Sequence, residues 1–122
     1  LNYLGYTYAD MGIKLDQALD LISRALEQKP EDGYITDSMG WVYFQKQDYA
    51  KAVYYLERAA QLSNFEAIIA DHLADAYVKA GQLTQGLDTY KKALANVKKE
   101  DIDLAGKIKE KIKDLEKRLD GK

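Results

Sequence analysis

The residues that could carry out chemistry in this chain are few. His72 is the only histidine, and Ser38 stands at the equivalent position of the preceding sequence repeat, with Asp37, Asp71 and Asp75 close by. A serine, a histidine and a carboxylate are the parts of a nucleophilic triad. The chain lacks the nucleophile elbow and the glycine-rich oxyanion loop that such a site requires. We therefore expect no enzyme activity and no catalytic residues.

Metal and cofactor sites are equally weakly supported by the sequence. Asp71 and Asp75 share one face of a helix, but His72 points about 100° away from them. The absence of cysteine excludes thiolate metal sites and disulfides. No glycine-rich phosphate-binding loop occurs. We expect no metal ion and no cofactor.

The charge pattern argues against nucleic acid and membranes as partners. The 122 residues carry a net charge of −2, and the C-terminal lysines alternate with acidic residues around a helix, as on a solvated face. These lysines are Lys107, Lys109, Lys111, Lys113 and Lys117. No segment approaches the ~18 apolar residues of a membrane span, so we expect no membrane insertion by this chain.

Two patterns recur three times along the chain. The first is Leu4-Gly5-x-x-Tyr8, which returns as Met39-Gly40-x-x-Tyr43 and Leu73-Ala74-x-x-Tyr77. The second is Ala18, Ile22, Ala25, which returns at equal intervals as Ala52, Leu56, Ala59 and as Gly86, Tyr90, Ala93. A period of about 34 residues indicates stacked helical repeats. The interval from Tyr8 to Tyr43 is one position longer than the others, and we assign this extra residue to the turn Gly12-Ile13-Lys14.

Helical spacing and capping residues predict seven helices. The first six cover about Asn2–Met11, Leu15–Gln28, a helix capped by Asp32 to Lys46, one capped by Asp48 to Gln61, one capped by Asn64 to Ala80, and Leu83–Asn96. Small residues such as Gly40 and Ala52 allow neighbouring helices to approach closely. The tyrosines fill the space between helices, with their hydroxyls at polar edges.

The last helix, at about residues 101–120, has a different pattern. Its apolar residues form a single stripe of Ala105, Ile108, Ile112, Leu115 and Leu119. A stripe with charged residues on the other faces predicts a helix that covers the end of the stack. The alternative is a coiled-coil strand, for which two heptads are short.

The repeated residues resemble the tetratricopeptide repeat (TPR), over about residues 1–98. The resemblance rests on Leu-Gly-x-x-Tyr, the two later alanines and Pro30 at a repeat end. The sequence is similar in character to bacterial TPR proteins. It implies an all-α domain over residues 1–122, in which three helix pairs form a right-handed superhelix with a C-terminal capping helix. The implied repeats are about 1–32, 33–66 and 67–100, with the capping helix at 101–120.

The family's usual role implies a non-catalytic module that binds a peptide or partner protein in a concave groove lined by the first helix of each pair. Stacking equivalent positions gives the candidate groove residues Asn2, Tyr6, Tyr34, Asp37, Trp41, Phe44, Ile68, Asp71, Asp75 and Val78. An exposed tryptophan among aromatics and carboxylates is typical of a binding surface. The other interpretation is that these aromatics pack against neighbouring first helices while the carboxylates are solvated.

The carboxylates predict a partner with basic or apolar anchors. Family members that grip acidic chaperone tails carry a clamp of Lys, Arg and Asn, and Asp37, Asp71 and Asp75 stand at the matching places here. The alternative function is a structural segment of a larger array that self-associates through its terminal helices. The start at Leu1, on the repeat pattern, predicts a fragment of a longer protein. The compartment stays open between cytoplasm and bacterial cell envelope.

Overall fold

The computed structural model describes residues 14–121, which form six α-helices and no strand. The helices are α1 (Leu15–Gln28), α2 (Gly33–Gln45), α3 (Tyr49–Leu62), α4 (Ala67–Lys79), α5 (Leu83–Asn96) and α6 (Ile102–Asp120). The predicted bounds of α1 and α5 are confirmed, and the other four agree to within a few residues. The predicted first helix, about Asn2–Met11, and its turn at Gly12 lie outside the described residues, as do Asn2 and Tyr6.

The helix starts follow from carboxylate caps. Asp32 Oδ1 accepts the amides of Tyr34 and Ile35 at 2.9 and 3.0 Å, and Asp48 Oδ1 accepts that of Lys51 at 3.2 Å. Both caps were predicted from the sequence and are confirmed. The predicted cap of α4, Asn64, is wrong. The side chain of Glu66 caps that helix instead, accepting the amides of two residues in its first turn.

The ends of α2, α3 and α4 share one turn geometry, and this explains the error at Asn64. At the end of α2, the Gln47 amide donates to the Phe44 carbonyl and the Asp48 amide donates to the Tyr43 carbonyl. The same pair of bonds occurs around Asn64 and around Gly81. This is the Schellman turn, whose central residue takes a left-handed backbone conformation. Gln47, Asn64 and Gly81 have φ angles of 65°, 57° and 83°. Asn64 therefore ends α3 rather than starting α4.

The core is a run of three apolar clusters along the chain. The first joins α1 to α2, the second joins α3 to α4, and the third joins α4, α5 and α6. The repeated small residues lie at the contacts between helices, as the sequence predicts. A Cβ atom built on Gly40 would lie 2.6 Å from Cγ of Leu56, which is fully buried on α3. Only glycine permits this approach of α2 and α3.

The stripe on α6 packs inward. Ile108 and Leu115 are buried against Ala70, Tyr90 and Ala93, with Ile112 and Leu119 packed around them. The helix therefore covers the end of the stack, and its apolar side is already occupied within the chain. No helix among residues 14–121 is long and apolar enough to cross a membrane.

The left-handed turns give a matched pair of substitutions. Gln47→Gly should raise the free energy of unfolding by about 1 kcal/mol, because a Cβ atom is disfavoured in this conformation. Gly81→Ala should lower it by a similar amount, since the added Cβ would meet nothing within 4 Å and only the backbone is affected. Thermal denaturation of both variants tests this. Shifts of the same sign would contradict the account.

The close approach at Gly40 predicts a larger effect from one added methyl group. Gly40→Ala should destabilise the protein by about 1–3 kcal/mol, because Leu56 is fully buried and its backbone nitrogen would also lie only 3.2 Å from the added Cβ atom. Gly106→Ala is the control, since a Cβ atom at this helical glycine would contact nothing within 4 Å. Urea denaturation compares the two. Equal stability of the Gly40 variant and the parent would show that the helix contact is not close-packed.

Candidate functional site

The candidate groove residues within the described part of the chain lie on two helices, α2 and α4, which contact one another directly. Helix α6 continues the row, since Lys111 on α6 reaches Asp71 and Asp75 on α4. We call α2, α4 and α6 the first-helix row. Two kinds of side chain occupy its surface. Polar pairs join neighbouring helices, and apolar side chains at the helix starts are exposed.

The first polar pair joins α2 to α4. His72 Nδ1 lies 2.8 Å from Asp37 Oδ1, and the two side chains are only 12% and 7% exposed. Burial lowers the pKa of His72, but the hydrogen bond to Asp37 and the charges of Asp37, Asp71 and Asp75 together outweigh it, so the pKa lies above its ordinary value. Ser38 takes no part, because its hydroxyl donates to the Tyr34 carbonyl. The arrangement is thus an interhelical hydrogen bond, which becomes an ion pair when His72 is protonated, rather than a nucleophilic triad.

The second polar group joins α4 to α6. Lys111 Nζ lies 2.9 Å from Asp71 Oδ1 and 3.1 Å from Asp75 Oδ1. The Tyr90 hydroxyl on α5 also donates to Asp75. Burial raises the pKa of Asp71, with a further rise from the charge of Asp75, while Lys111 acts in the opposite direction. Burial, together with Asp75, raises the pKa of Tyr90, so its hydroxyl stays protonated as a donor.

Trp41 lies between His72 on α4 and Phe44 near the C-terminal end of α2. Its ring stacks on Phe44 at 4.5 Å between centroids and on His72 at 4.2 Å, and its indole Nε1 is buried. The sequence led us to expect an exposed tryptophan, and the structure shows a partly buried one. Packing of an aromatic side chain against the neighbouring first helix was the other interpretation, and Trp41 follows it. The carboxylates, however, are paired rather than solvated.

The remaining candidates are the accessible ones. Tyr34 is 62% exposed and Ile68 is 45% exposed, and both occupy the second position of their helices, one repeat apart. Phe44 and Val78 are half-buried nearer the other ends of α2 and α4. Val78 also lines a pocket of about 170 Å³ with Tyr90, Lys111 and Arg118 at the α4–α6 seam. The structure therefore leaves an apolar edge accessible and places polar contacts between the helices.

Sequence reasoning missed His72 and Lys111 as partners of the predicted carboxylates. A signal for His72 was available, since its separation from Asp37 along the chain is close to the repeat period. Lys111 is separated from Asp71 and Asp75 by longer intervals, which reflect a different register for α6. Among residues 14–121, no group of three or more His, Cys, Asp or Glu side chains is arranged to hold a metal ion.

The lysine between two carboxylates gives a prediction about stability and pH. Lys111→Met keeps the length of the side chain but leaves Asp71 and Asp75 facing each other, which should cost about 2 kcal/mol of unfolding free energy at pH 7. Lys113→Met, at an exposed position on the same helix, is the control.

The pH dependence separates the charge effect from lost packing. A carboxyl whose folded-state pKa is raised favours the folded state more as the pH falls, so protonation of Asp71 should relieve part of the deficit between pH 7 and pH 4. Urea denaturation curves of the parent and the Lys111 variant at both pH values measure this deficit in unfolding free energy. A deficit of the Lys111 variant that does not change with pH would contradict the charge explanation.

Two curated proteins are similar to this chain in sequence. It is 43% identical over 61 residues to a TPR repeat-containing protein of Pseudomonas aeruginosa and 30% identical over 81 residues to tetratricopeptide repeat protein 21B of Xenopus laevis. The matches cover 50% and 66% of this chain, but only 10% and 6% of those proteins. The chain thus spans a tenth or less of the relatives' length. No protein-family model matches it.

Several solved structures are similar to this chain in fold. A T3SS complex from Aeromonas hydrophila has a TM-score of 0.89 at 16% identity, covering 98% of this chain and 81% of the other. The Yersinia enterocolitica type III secretion translocator chaperone SycD has a TM-score of 0.88 at 15% identity, covering 98% of this chain and 83% of the other. PcrH in complex with the chaperone binding region of PopD has a TM-score of 0.86 at 18% identity, covering 96% of this chain and 89% of the other. At these identities the similarity shows a shared fold.

Proposed function

We propose that this chain, which is similar in sequence to tetratricopeptide-repeat proteins, is a non-catalytic module that binds a peptide or a segment of a partner protein in a concave groove. The first-helix row forms this groove. We infer that the helices follow a right-handed superhelix of three repeats, at about residues 1–32, 33–66 and 67–100, closed by the capping helix at 101–120 as a seventh helix. The fold shared with PcrH, which was solved with a segment of PopD, supports this proposal.

The observation that carries the proposal is the exposed apolar edge. Tyr34 and Ile68 occupy equivalent positions on consecutive first helices, and each exposes about half or more of its surface. A side chain of this size gains about 1.5–3 kcal/mol when it is buried against a partner. Two such residues on neighbouring helices can hold one continuous segment.

The polar pairs decide which partner chemistry fits. Asp37 already faces His72, and Asp71 and Asp75 already share Lys111. A basic side chain would have to displace one of these internal cations to reach a carboxylate. We therefore propose that apolar side chains of the partner provide the main anchors and that any basic residues of the partner remain at the rim, where exposed Glu31 lies beside α2.

The structure favours the groove over self-association through the C-terminal end. Assembly through the stripe of α6 would require an accessible Ile108 and Leu115, which are 0% and 3% exposed within the chain. The outer face of α6 is charged, and a charged outer face is typical of a helix that terminates a stack. Self-association by this route would require α6 to detach.

Site-specific photo-crosslinking tests the assignment of the binding surface. A benzoylphenylalanine residue at position 34 or 68 should crosslink to the partner in cells, and the same residue in place of Tyr54 should not. Tyr54 is the matched control because it is 64% exposed but lies on α3, outside the first-helix row. Crosslinks that form mainly at position 54 would mean that the binding surface lies elsewhere.

Affinity for the crosslinked partner then measures the contribution of the edge. The double variant Tyr34→Ala/Ile68→Ala should bind at least about tenfold more weakly, since removing a central apolar anchor typically costs more than about 1 kcal/mol. Tyr54→Ala should bind as the parent does. Calorimetric titration gives both values. An unchanged dissociation constant for the double variant would refute the groove assignment.

A further inference from the structure

The single histidine and the single tryptophan of this chain are in contact. The two rings stack at 4.2 Å between centroids with their planes 24° apart, while His72 Nδ1 lies 2.8 Å from Asp37 Oδ1. Asp37 and Trp41 are on α2 and His72 is on α4. One imidazole ring therefore makes both a stacking contact and a charged hydrogen bond across the seam between the two helices.

The surroundings of His72 are predominantly acidic. From α2 the facing group is Asp37, and on its own helix the neighbours are Asp71 and Asp75. From α6, Lys111 is bound between those two aspartates. Two further titratable groups near α4 come from the other helices packed against it. The Tyr90 hydroxyl of α5 bonds to Asp75, and Glu57 of α3 bonds to the Tyr77 hydroxyl.

We propose that His72 is a pH-sensitive clamp between α2 and α4. The clamp is closed when the protonated ring contacts Asp37 and Trp41, and it loosens when the ring releases its proton to solvent. In the closed form, the buried Asp37 carboxylate faces a positive charge. When the ring is neutral, His72 retains one N–H donor, but the Asp37 carboxylate no longer faces a compensating charge. A buried carboxylate without a counter-charge is costly, so the contact between the helices weakens.

The direction of the pH effect follows from the environment of the ring. Burial lowers the pKa of His72 in the folded protein, but the hydrogen bond to Asp37 and the three carboxylates together raise it above its ordinary value. The stabilisation is then complete below the unfolded-state pKa of about 6.5 and is lost as the pH rises through the folded-state value. Mild alkalinity should therefore open the seam.

The clamp has a consequence for binding, and this step rests on the proposed function. Tyr34 and Ile68 start the two helices that His72 joins, so the spacing between these two anchors depends on whether the clamp is closed. A partner segment that spans both anchors would bind more tightly at the lower pH. The charge state of one histidine would thus regulate the groove.

The clamp can be tested without any partner. The sole histidine gives one NMR titration curve, and the sole tryptophan gives one fluorescence titration. The two midpoints should coincide, and both should lie above the pKa of about 6.5 typical of free histidine. Asp37→Asn should move both midpoints to lower pH, and His72→Gln, which keeps a hydrogen-bond donor but cannot be charged, should abolish the fluorescence titration. Fluorescence that does not change with pH, or a histidine midpoint at or below about 6.5, would overturn the proposal.

The spacing of the anchors can be followed directly because the chain has no native cysteine. Nitroxide labels on Tyr34→Cys and Ile68→Cys should show dipolar broadening in their EPR spectrum that decreases as the pH rises through the His72 midpoint. The same labels in a His72→Gln background should show broadening that does not change with pH. A pH-independent spectrum in the parent background would show that the clamp does not move the helices. Since no partner is present, that outcome leaves the groove assignment to the crosslinking experiment.

Discussion

A carboxylate buried between two helices must be compensated by a neighbouring charge, and this requirement governs how the helices of this protein lie side by side. Asp37 and Asp71 are almost fully buried, and Asp75 shares Lys111 with Asp71. Desolvation of such groups costs several kcal/mol each unless a partner is well placed. For these three aspartates, the basic partner comes from the next member of the first-helix row. His72 of α4 serves Asp37 of α2, and Lys111 of α6 serves both aspartates of α4.

This pattern separates the surfaces that hold the fold from those that are available to a partner. Apolar contacts between helices are non-directional and tolerate sliding, whereas a charged hydrogen bond fixes one atom against another. The polar pairs therefore set the register of the first-helix row, and the small residues behind them set its distance from the second helices. The apolar side chains at the helix starts contribute neither to this register nor to this distance. Tyr34 and Ile68 are exposed, and these are the residues that we propose for recognition.

Much of the fold could be predicted from the sequence because it depends on local signals. Asp32 and Asp48 indicate helix starts, the repeat period aligns the small residues, and the stripe on α6 predicts a covering helix. Asn64 misled because asparagine suits both an N-cap and a left-handed turn, and the preceding helix uses it for the turn. Local preference could not decide between the two.

The candidate site could be predicted only in part, because burial depends on what lies opposite. The row of Asp37, Trp41 and Phe44 follows from helical spacing, but their exposure depends on the register of α4. The stacking of Trp41 on His72 of another helix, and the reach of Lys111 from the last helix back to α4, are properties of the packed helices. The sequence therefore identified the residues, and the structure was needed to show which of them pair internally.

The central claim is that the carboxylates of the first-helix row serve contacts within the protein. The most direct test is the coupling free energy between Asp71 and Lys111 in a double-mutant cycle of Asp71→Asn and Lys111→Met, measured by urea denaturation at pH 7. The account predicts a favourable coupling of about 1–3 kcal/mol, within the range for residues in one ion-pair network. A coupling near zero would contradict it, because the carboxylate would then be stable without its lysine.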